Sequence, residues 1–325
     1  MRERIFGRLG WSVGEIGFGM WQMGDQWDKG AGEQSYGEVL EQALALGVNF
    51  YDTAWAYGAG KSEKILGNLL KKNDRDKLFV ATKIPPKNRQ WPSKPHYRFE
   101  DCFPSGYLTE YTDLSLKNLR TNYLDLQQFH VWEDAWAERD EWKEEITQLK
   151  AAGKIKGWGI SVNRWEPENC LDTLRTGYID AVQVIYNIFD QAPEDRLFPL
   201  CQDLNIAVIA RVPFDEGTLT GTLSKESQFA EDDWRSKYFV SENLIPSVER
   251  AERIKTILPP GMSLPELALR FILDHPAVST IIPGMRKQRH LLQNVACSDA
   301  DPLDAHLLNL LRQHRWDRIP TRWSM

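Results

Sequence analysis

The segment NFYDTAWAYGAGKSEKILG, residues 49–67, contains the change from strand to helix on which the fold assignment depends. Residues 49–51 end a short apolar run typical of a β-strand, and Ser62–Leu70 has the pattern of a helix with Ser62 as its predicted N-cap. The loop between them carries a carboxylate and two aromatic side chains, Asp52, Trp55 and Tyr57. Loops held by a rigid scaffold often carry catalytic groups. From this segment alone, a turn residue with local aromatic packing is an equally good interpretation.

The same alternation of strand and helix extends along nearly the whole chain. Eight apolar runs fit strands: EIGFGM (15–20), VNFYD (48–52), LFVATKI (78–84), LDLQQFHVW (124–132), GWGISV (157–162), AVQVIYN (181–187), IAVIARV (206–212) and STIIPG (279–284). Helical patterns between them include Ser35–Leu46, Trp142–Ala152 and Pro265–Leu273. Eight strand–helix units predict an α/β fold, a (β/α)8 TIM barrel. The rival is a doubly wound open sheet, which usually carries G-x-G-x-x-G after its first strand, and none follows EIGFGM.

The segments outside these units predict how the barrel is covered. RIFGRLG, residues 4–10, fits a small N-terminal β-hairpin over one end of the barrel. Pro85–Pro104 and Pro213–Pro246 are longer than ordinary connections and follow strands three and seven. Both therefore fall on the C-terminal face, where TIM barrels carry their active sites. With the tail HRWDRIPTRWSM (314–325), the whole chain, 1–325, is predicted to form one domain.

Composition narrows the functional classes. The chain has 325 residues, 42% of them hydrophobic and 26% charged, as is ordinary for a soluble protein. A net charge of −6 argues against nucleic-acid binding. No apolar run approaches the roughly 18 residues that span a bilayer, and the N-terminus has no secretory pattern, so we expect no membrane contact and a cytoplasmic location. The four cysteines are widely spaced, which predicts reduced thiols and no zinc or other metal site.

Four titratable residues lie at the ends of neighbouring predicted strands. Asp52 ends strand two with Tyr57 on the following loop, Lys83 lies near the end of strand three, and His130 lies at the end of strand four. Each has an ordinary structural explanation: a lysine in an apolar strand can extend to water, and a lone histidine is more often structural than catalytic. A barrel would bring all four to one mouth, which favours a shared catalytic role.

At these residues the sequence resembles the aldo-keto reductases, TIM-barrel enzymes that use a nicotinamide cofactor. The resemblance runs from Arg4 to Asn294. FYDTAWAYGAGKSEKILG matches the family's Asp-and-Tyr segment, and Lys83 in ATK and His130 in LDLQQFHVW match the rest of its tetrad. The segments GWGISVN, AVQVIYN, FDEGTLTG and IIPGMRKQRHLLQN match its cofactor-binding segments.

The resemblance implies a mechanism of carbonyl reduction with NADPH. Tyr57 would protonate the carbonyl oxygen, Lys83 would lower the pKa of its phenol from about 10, and Asp52 would hold Lys83 charged and in place. His130 would orient the carbonyl by a hydrogen bond. Trp21 and Trp55, with Tyr57 and His130, would line the substrate site.

The resemblance also implies the cofactor contacts. Ser161, Asn163 and Gln183 would hydrogen-bond the nicotinamide carboxamide. Arg286 lies at a predicted helix start after strand eight. It favours NADP over NAD, because a guanidinium binds a 2′-phosphate well. The alternative is that these residues form an ordinary basic helix start exposed to solvent. The full set is Gly19, Met20, Trp21, Asp52, Ser161, Asn163, Gln183, Arg211, Pro213, Phe214, Glu216, Gly217, Leu219, Gly221, Gly284, Arg286, His290, Gln293 and Asn294.

Two positions depart from the family pattern. Arg211 stands where many members carry an aromatic residue that stacks on the nicotinamide. A guanidinium can stack as well, but less favourably beside the cationic oxidised ring, and it can instead bind a phosphate or an acidic substrate. His290 stands where Arg or Gln is frequent.

Two other functions remain open at the sequence level. Some barrels of this family act chiefly as regulatory subunits of channels with little turnover, and a Schiff-base aldolase would use Lys83 as its nucleophile. The expected partner is a small-molecule carbonyl compound, with the chain a monomer or small homo-oligomer. Small aldehydes, sugars and quinone-like carbonyls are equally compatible, in either direction of reaction.

Overall fold

A parallel β-barrel forms the centre of the protein. The computed structural model describes residues 1–24 and 33–324. Its strands are β1 (Glu3–Phe6), β2 (Trp11–Gly14), β3 (Phe18–Gly19), β4 (Phe50–Asp52), β5 (Phe79–Ile84), β6 (Leu124–Phe129), β7 (Ile155–Ser161), β8 (Ala181–Ile185), β9 (Ala207–Arg211) and β10 (Val278–Ile281). Strands β3 to β10 lie side by side in chain order, each parallel to the next.

Helices surround these strands. They are α1 (Trp21–Gly24), α2 (Glu33–Ala45), α3 (Lys61–Leu70), α4 (Phe99–Cys102), α5 (Tyr107–Leu119), α6 (Asp140–Ala151), α7 (Leu171–Arg175), α8 (Leu197–Asp203), α9 (Arg235–Tyr238), α10 (Ser241–Lys255), α11 (Leu264–Leu273), α12 (Gln288–Ala296) and α13 (Ala305–Arg312). The predicted (β/α)8 barrel is confirmed.

The first and last parallel strands nearly close the barrel. Parallel bridges join Ile16 to Ile281 and Gly19 to Gly284. A Cβ atom at Gly19 would lie 2.5 Å from the carbonyl oxygen of Ile282, so the two chain segments approach this closely only because Gly19 has no side chain.

The hairpin of β1 and β2 covers the N-terminal end of the barrel, as predicted, but its second strand, Trp11–Gly14, lies beyond the predicted residues 4–10. Its strands pair antiparallel, from Glu3 opposite Gly14 to Phe6 opposite Trp11. Phe6 and Val13 belong to one buried cluster with side chains from the beginnings of the barrel strands, namely Phe50, Ala81, Leu126, Ala181 and Ala207. The opposite, C-terminal end is therefore the end available for a substrate.

The burial of each element explains the sequence patterns. Strands β4, β6, β8 and β10 are buried at every position, which is why they read as continuous apolar runs. Helix α3 buries Ile65, Leu66, Leu69 and Leu70 against the barrel, at the spacing of one helix face.

Some predicted boundaries were wrong. Ser62 is not the N-cap of α3, because the helix begins at Lys61 after Gly60, and the Ser62 hydroxyl instead donates to the Met20 carbonyl oxygen at 3.0 Å. The long connection predicted over Pro213–Pro246 follows the seventh barrel strand, which is β9. It ends before Pro246, because that residue lies inside α10. The buried face of that helix, including Leu244 and Val248, offsets the hydrogen bond that a proline cannot donate.

Two further features concern the helices and the cysteines. No helix within residues 1–24 and 33–324 has both the length and the apolar character of a bilayer-spanning segment. All four cysteines, Cys102, Cys170, Cys201 and Cys297, are buried as free thiols.

Candidate active site

Four predicted residues meet at the C-terminal mouth of the barrel. Asp52 is the last residue of β4, Lys83 lies on β5, and His130 directly follows β6. Tyr57 lies on the loop after β4, and its hydroxyl is 3.4 Å from Lys83 Nζ. The ring centroids of Tyr57 and His130 are 5.8 Å apart. The phenol, amine, carboxylate and imidazole therefore form one cluster.

Lys83 and Asp52 form the buried base of this cluster. Lys83 Nζ donates to Asp52 Oδ1 at 2.6 Å and to the Thr53 carbonyl oxygen at 2.8 Å. The Lys83 side chain is 0% exposed and that of Asp52 is 3% exposed. Burial is the largest single influence and would lower the pKa of Lys83, but the charge of Asp52, the Tyr57 hydroxyl and the hydrogen bonds to both together raise that pKa, so the ammonium stays charged.

The phenol of Tyr57 is kept protonated by its surroundings. Burial raises the pKa of Tyr57, Lys83 acts in the opposite direction, and Asp52 raises it further. The Lys83 ammonium lowers the pKa of Tyr57, as expected. The net pKa of Tyr57 is nevertheless raised, contrary to the expectation, because the removal of the phenol from water has the larger effect. Tyr57 is therefore a neutral phenol at pH 7, able to donate a proton.

His130 is held neutral at the same mouth. Burial, followed by the positive charges of Lys83 and Arg211, lowers the pKa of His130 well below its usual value. Its Nδ1 is buried without a hydrogen-bond partner in the described part of the chain. A neutral imidazole carries one N–H donor and one acceptor, so His130 can orient a carbonyl without charging.

Gln128 is a member of the cluster that the sequence analysis missed. Asp52 Oδ2 accepts from Gln183 Nε2 at 2.8 Å and from Gln128 Nε2 at 3.4 Å. Gln128 and His130 are two residues apart at the end of β6, so the period of a strand places them on the same side. That spacing in LQQFH was the available signal. The two amides fix the carboxylate that holds Lys83.

Aromatic side chains surround the mouth. Trp55 packs edge-on against Tyr111 with centroids 5.0 Å apart, and the Arg89 guanidinium lies 4.9 Å from the Trp55 ring. The ring of Trp21, the other tryptophan predicted to line the substrate site, has its centroid 5.3 Å from that of Trp234. Trp91, which was not among the predicted site residues, lies edge-on to His130 with ring centroids 5.7 Å apart. The loop after β5 thus brings a tryptophan against the histidine of the cluster.

The three predicted carboxamide contacts have different surroundings. Gln183 is buried, and its amide nitrogen donates to Asp52, which leaves its oxygen free of a donor in the described residues. The Ser161 hydroxyl has no hydrogen-bond partner within residues 1–24 and 33–324. The Asn163 amide instead donates to the Trp132 carbonyl oxygen at 3.0 Å and to Ser93 Oγ at 3.1 Å. Asn163 therefore also anchors the loop after β5, and its cofactor contact stays a prediction.

Several predicted cofactor residues lie in the segment Asp215–Thr220 that follows β9, which we call the 215–220 segment. Its backbone turns sharply, with positive φ at Asp215, Glu216 and Gly217. Glu216 forms an ion pair with Arg164 from the loop after β7. Leu219 and Met20, the latter directly after β3, are fully buried, so their contacts with a cofactor stay predictions. The other members near this segment are Pro213, Phe214 and Gly221.

Arg211, the last residue of β9, extends across the mouth. Its Nη2 donates to the Val162 carbonyl oxygen at 2.9 Å, and its Nε is buried without a partner among the described residues. Burial, reinforced by the Arg164 charge, lowers the pKa of Arg211 to about 10, so the guanidinium is charged at neutral pH.

The start of α12 is a cationic helix terminus. Helix α12 begins at Gln288, and no side chain in the described residues caps it. Burial, followed by the charges of Arg289, Lys287 and Arg286, lowers the pKa of His290. Arg289 thus adds to the positive charge predicted from Arg286. Of the remaining predicted contacts, Gly284 bridges to Gly19, Gln293 is exposed, and Asn294 is buried with its amide nitrogen unpartnered among the described residues.

Comparison with known proteins decides the family. The profile of the Aldo/keto reductase family matches residues 15–315. The chain belongs to the aldo-keto reductase family. An aldo-keto reductase from Bacillus halodurans, solved in its holo form, is 27% identical, covers 100% of both chains and superimposes with a TM-score of 0.78.

Curated relatives extend the likeness along the chain. An uncharacterized oxidoreductase of Bacillus subtilis (strain 168) is 29% identical over 97% of this chain and 96% of its own. The NADH-specific methylglyoxal reductase of Escherichia coli (strain K12) is 26% identical over 94% of this chain and 96% of its own. As an aldo-keto reductase, the protein is an NAD(P)H-dependent oxidoreductase that acts on C=O and CH–OH groups.

Proposed function

We propose that this aldo-keto reductase reduces aldehydes or ketones to alcohols with NADPH, and that Tyr57 is the proton donor. The observation that carries the proposal is the 3.4 Å approach of the Tyr57 hydroxyl to Lys83 Nζ, itself held by Asp52. The approach is long for a hydrogen bond, as is common in catalytic sites before a substrate binds.

In this proposal the transferred proton comes from one atom, the phenolic oxygen of Tyr57. Tyr57 donates its phenolic proton to the carbonyl oxygen, and the phenolate left behind gains the nearby Lys83 ammonium as its counter-charge. Because the ammonium is already charged and fixed by Asp52 and the Thr53 carbonyl, little reorganisation is needed when the phenolate forms. His130 donates a hydrogen bond to the same carbonyl oxygen, which orients it towards the Tyr57 hydroxyl.

The residues at the mouth fit a nicotinamide dinucleotide. When bound, NADPH supplies the hydride for the carbonyl carbon. The free oxygen of Gln183 and the unpartnered hydroxyl of Ser161 offer an acceptor and a donor for a carboxamide. The buried amide nitrogen of Asn294 lacks a partner among the described residues, as expected for a group that an adenine nitrogen would satisfy.

The environment of Lys83 argues against the aldolase alternative. A Schiff base requires a neutral amine with room to attack a carbonyl. Lys83 is instead wholly buried, bonded to Asp52, Thr53 and Tyr57, and has its pKa raised. A regulatory barrel with little turnover would not require a complete cluster of proton donor, ammonium and carboxylate.

The experiment that tests the proposal is a screen of NADPH oxidation over small aldehydes, sugars and quinone-like carbonyls. We expect turnover with at least one class, followed by alcohol formation in equal amount. A tetramer that binds NADPH but turns over none of these classes would instead favour the regulatory function. Covalent trapping of substrate on Lys83 by borohydride would favour the aldolase.

The preference for NADPH over NADH is proposed from the start of α12. Arg286, with Lys287 and Arg289 beside it, would bind the 2′-phosphate that NADH lacks. We expect Arg286→Ala to raise the KM for NADPH about tenfold, the value of one charge-assisted hydrogen bond, and to leave that for NADH unchanged. Equal affinity for the two cofactors, unaltered in the variant, would remove the assignment.

A further inference from the structure

The C-terminal strap, defined as residues 313–324, lies over loops that follow three neighbouring barrel strands. The backbone N–H of Trp316 donates to the Phe189 carbonyl oxygen at 2.8 Å, after β8. Trp323 packs edge-on against Trp165, after β7, at 5.7 Å. Between these two contacts, Arg318 reaches into the protein. With the ion pair of Arg315 and Asp195, the strap is attached at several points along its length.

Arg318 joins two buried carboxylates from different loops. Its Nε and Nη2 form a forked pair with Asp190, which follows β8, and Nη2 also donates to Asp215 Oδ1 at 2.7 Å. The side chains of Arg318, Asp190 and Asp215 are 3%, 7% and 1% exposed. Asp215 is the first residue of the 215–220 segment, so the strap holds that segment directly.

Aromatic rings fix the guanidinium in this position. Arg318 lies 4.6 Å from the Trp165 ring and 4.7 Å from the Trp316 ring. Such contacts order the planar group and favour a single geometry.

The ion cluster is better suited to setting geometry than to adding stability. Asp215 Oδ2 and Arg318 Nη1 are buried without partners in the described part of the chain, and incompletely satisfied buried ions seldom stabilise a fold. A cavity of about 100 Å³ lies beneath residues 315–318, against Val184 and Ile185. The strap is therefore not closely packed on the barrel there, and Arg318 provides its main attachment to the 215–220 segment.

We propose that Arg318 is a positioning residue for cofactor binding: through Asp215 it holds the 215–220 segment in the arrangement that closes over NADPH. The proposal rests on the proposed function, because the 215–220 segment is a predicted cofactor contact. Release of the cofactor then requires the strap and the segment to loosen together. Arg318 does not touch the reacting atoms, so the chemical step is independent of it.

The test compares two arginines of the strap. Arg318→Met removes the charge that binds Asp190 and Asp215. Arg318→Lys keeps a positive charge but cannot form the forked pair of hydrogen bonds with Asp190. Arg315→Met is the matched control, because Arg315 is 33% exposed and, in the described part of the chain, its ion pairs are with Asp195 and Asp317 and not with residues 215–220. The dissociation constant for NADPH, its dissociation rate and steady-state kinetics are measured for each.

We expect Arg318→Met to raise the dissociation constant and the KM for NADPH about tenfold. This change corresponds to a protein in which the 215–220 segment has its closed arrangement in about one tenth of the molecules. The kcat at saturating NADPH and the KM for the carbonyl should stay within about twofold, because the tetrad is untouched. Arg318→Lys should restore part of the affinity, and Arg315→Met should match the wild type. Unchanged NADPH affinity in folded Arg318→Met, or an equal loss in Arg315→Met, would overturn the proposal.

Hydrogen exchange of the wild-type protein gives a second test that needs no variant. Because coupling between two segments is reciprocal, NADPH should slow exchange in residues 215–220 and in the strap together. Protection of residues 215–220 with no change in residues 313–324 would contradict the proposal. If the wild type itself binds no NADPH, the proposed function fails; if it binds and only the Arg318 results differ from expectation, this inference alone fails.

Discussion

Lys83 Nζ lies 2.6 Å from Asp52 Oδ1, and both side chains are almost completely removed from water. They come from adjacent strands, with Asp52 opposite Ala81 in the register of β4 and β5, so the pairing of two strands fixes the ion pair. His130 directly follows β6, and Tyr57 lies further from the strands, on the loop after β4, with its hydroxyl 3.4 Å from Lys83 Nζ. The proposed proton donor thus lies beside a preformed counter-charge.

Removing one member of the Asp52–Lys83 pair should be more damaging than removing both. Asp52→Asn leaves a charged ammonium buried without its counter-charge, and we expect it to lower the free energy of unfolding by about 3–5 kcal/mol. The double variant Asp52→Asn/Lys83→Met should recover much of that loss. Chemical unfolding at pH 7 gives the free energy of unfolding of the wild type, Asp52→Asn, Lys83→Met and the double variant. Strictly additive losses would mean that the two charges do not stabilise each other.

The pH dependence of carbonyl reduction should follow the protonated form of Tyr57. Its pKa is raised, so the phenol stays protonated through neutral pH, and reduction should be constant to about pH 9 and decline only above the ordinary tyrosine value near 10. Because the pKa of His130 is lowered, no inflection is expected near pH 6.5. Alcohol oxidation needs the phenolate and should increase with pH instead. Profiles of kcat/KM in both directions test this, and a reduction rate that halves near pH 7 would contradict it.

Much of this site was predictable because strand order determines where strand ends meet. Asp52, Lys83 and His130 were found from their positions at or near the ends of apolar runs, and the register of β4, β5 and β6 brings these strand ends together. Net pKa directions were not predictable, because the burial that raises the pKa of Tyr57 depends on the loops packed around it. Contacts between distant segments, such as Arg318 with Asp215, have no local sequence signal.

The charge of Arg211 should weaken binding of the oxidised cofactor. If Arg211 lies against the nicotinamide, its guanidinium repels the ring only when that ring is cationic. We expect Arg211→Tyr to increase the affinity for NADP⁺ relative to NADPH by about fivefold, as for one screened charge–charge contact. Arg175→Gln is the control, because Arg175 is half-exposed and pairs with Asp172 on α7. Equal changes for both cofactor forms would place Arg211 away from the ring.

The central claim, that Tyr57 donates the proton, is tested most directly by Tyr57→Phe with Tyr178→Phe as its control, since Tyr178 lies at the surface against Trp142. Removing one hydroxyl should leave the dissociation constant for NADPH within about twofold and reduce kcat for carbonyl reduction at least about 100-fold. The control should keep wild-type values for both. Carbonyl reduction by Tyr57→Phe at a rate close to that of the wild type would contradict the account.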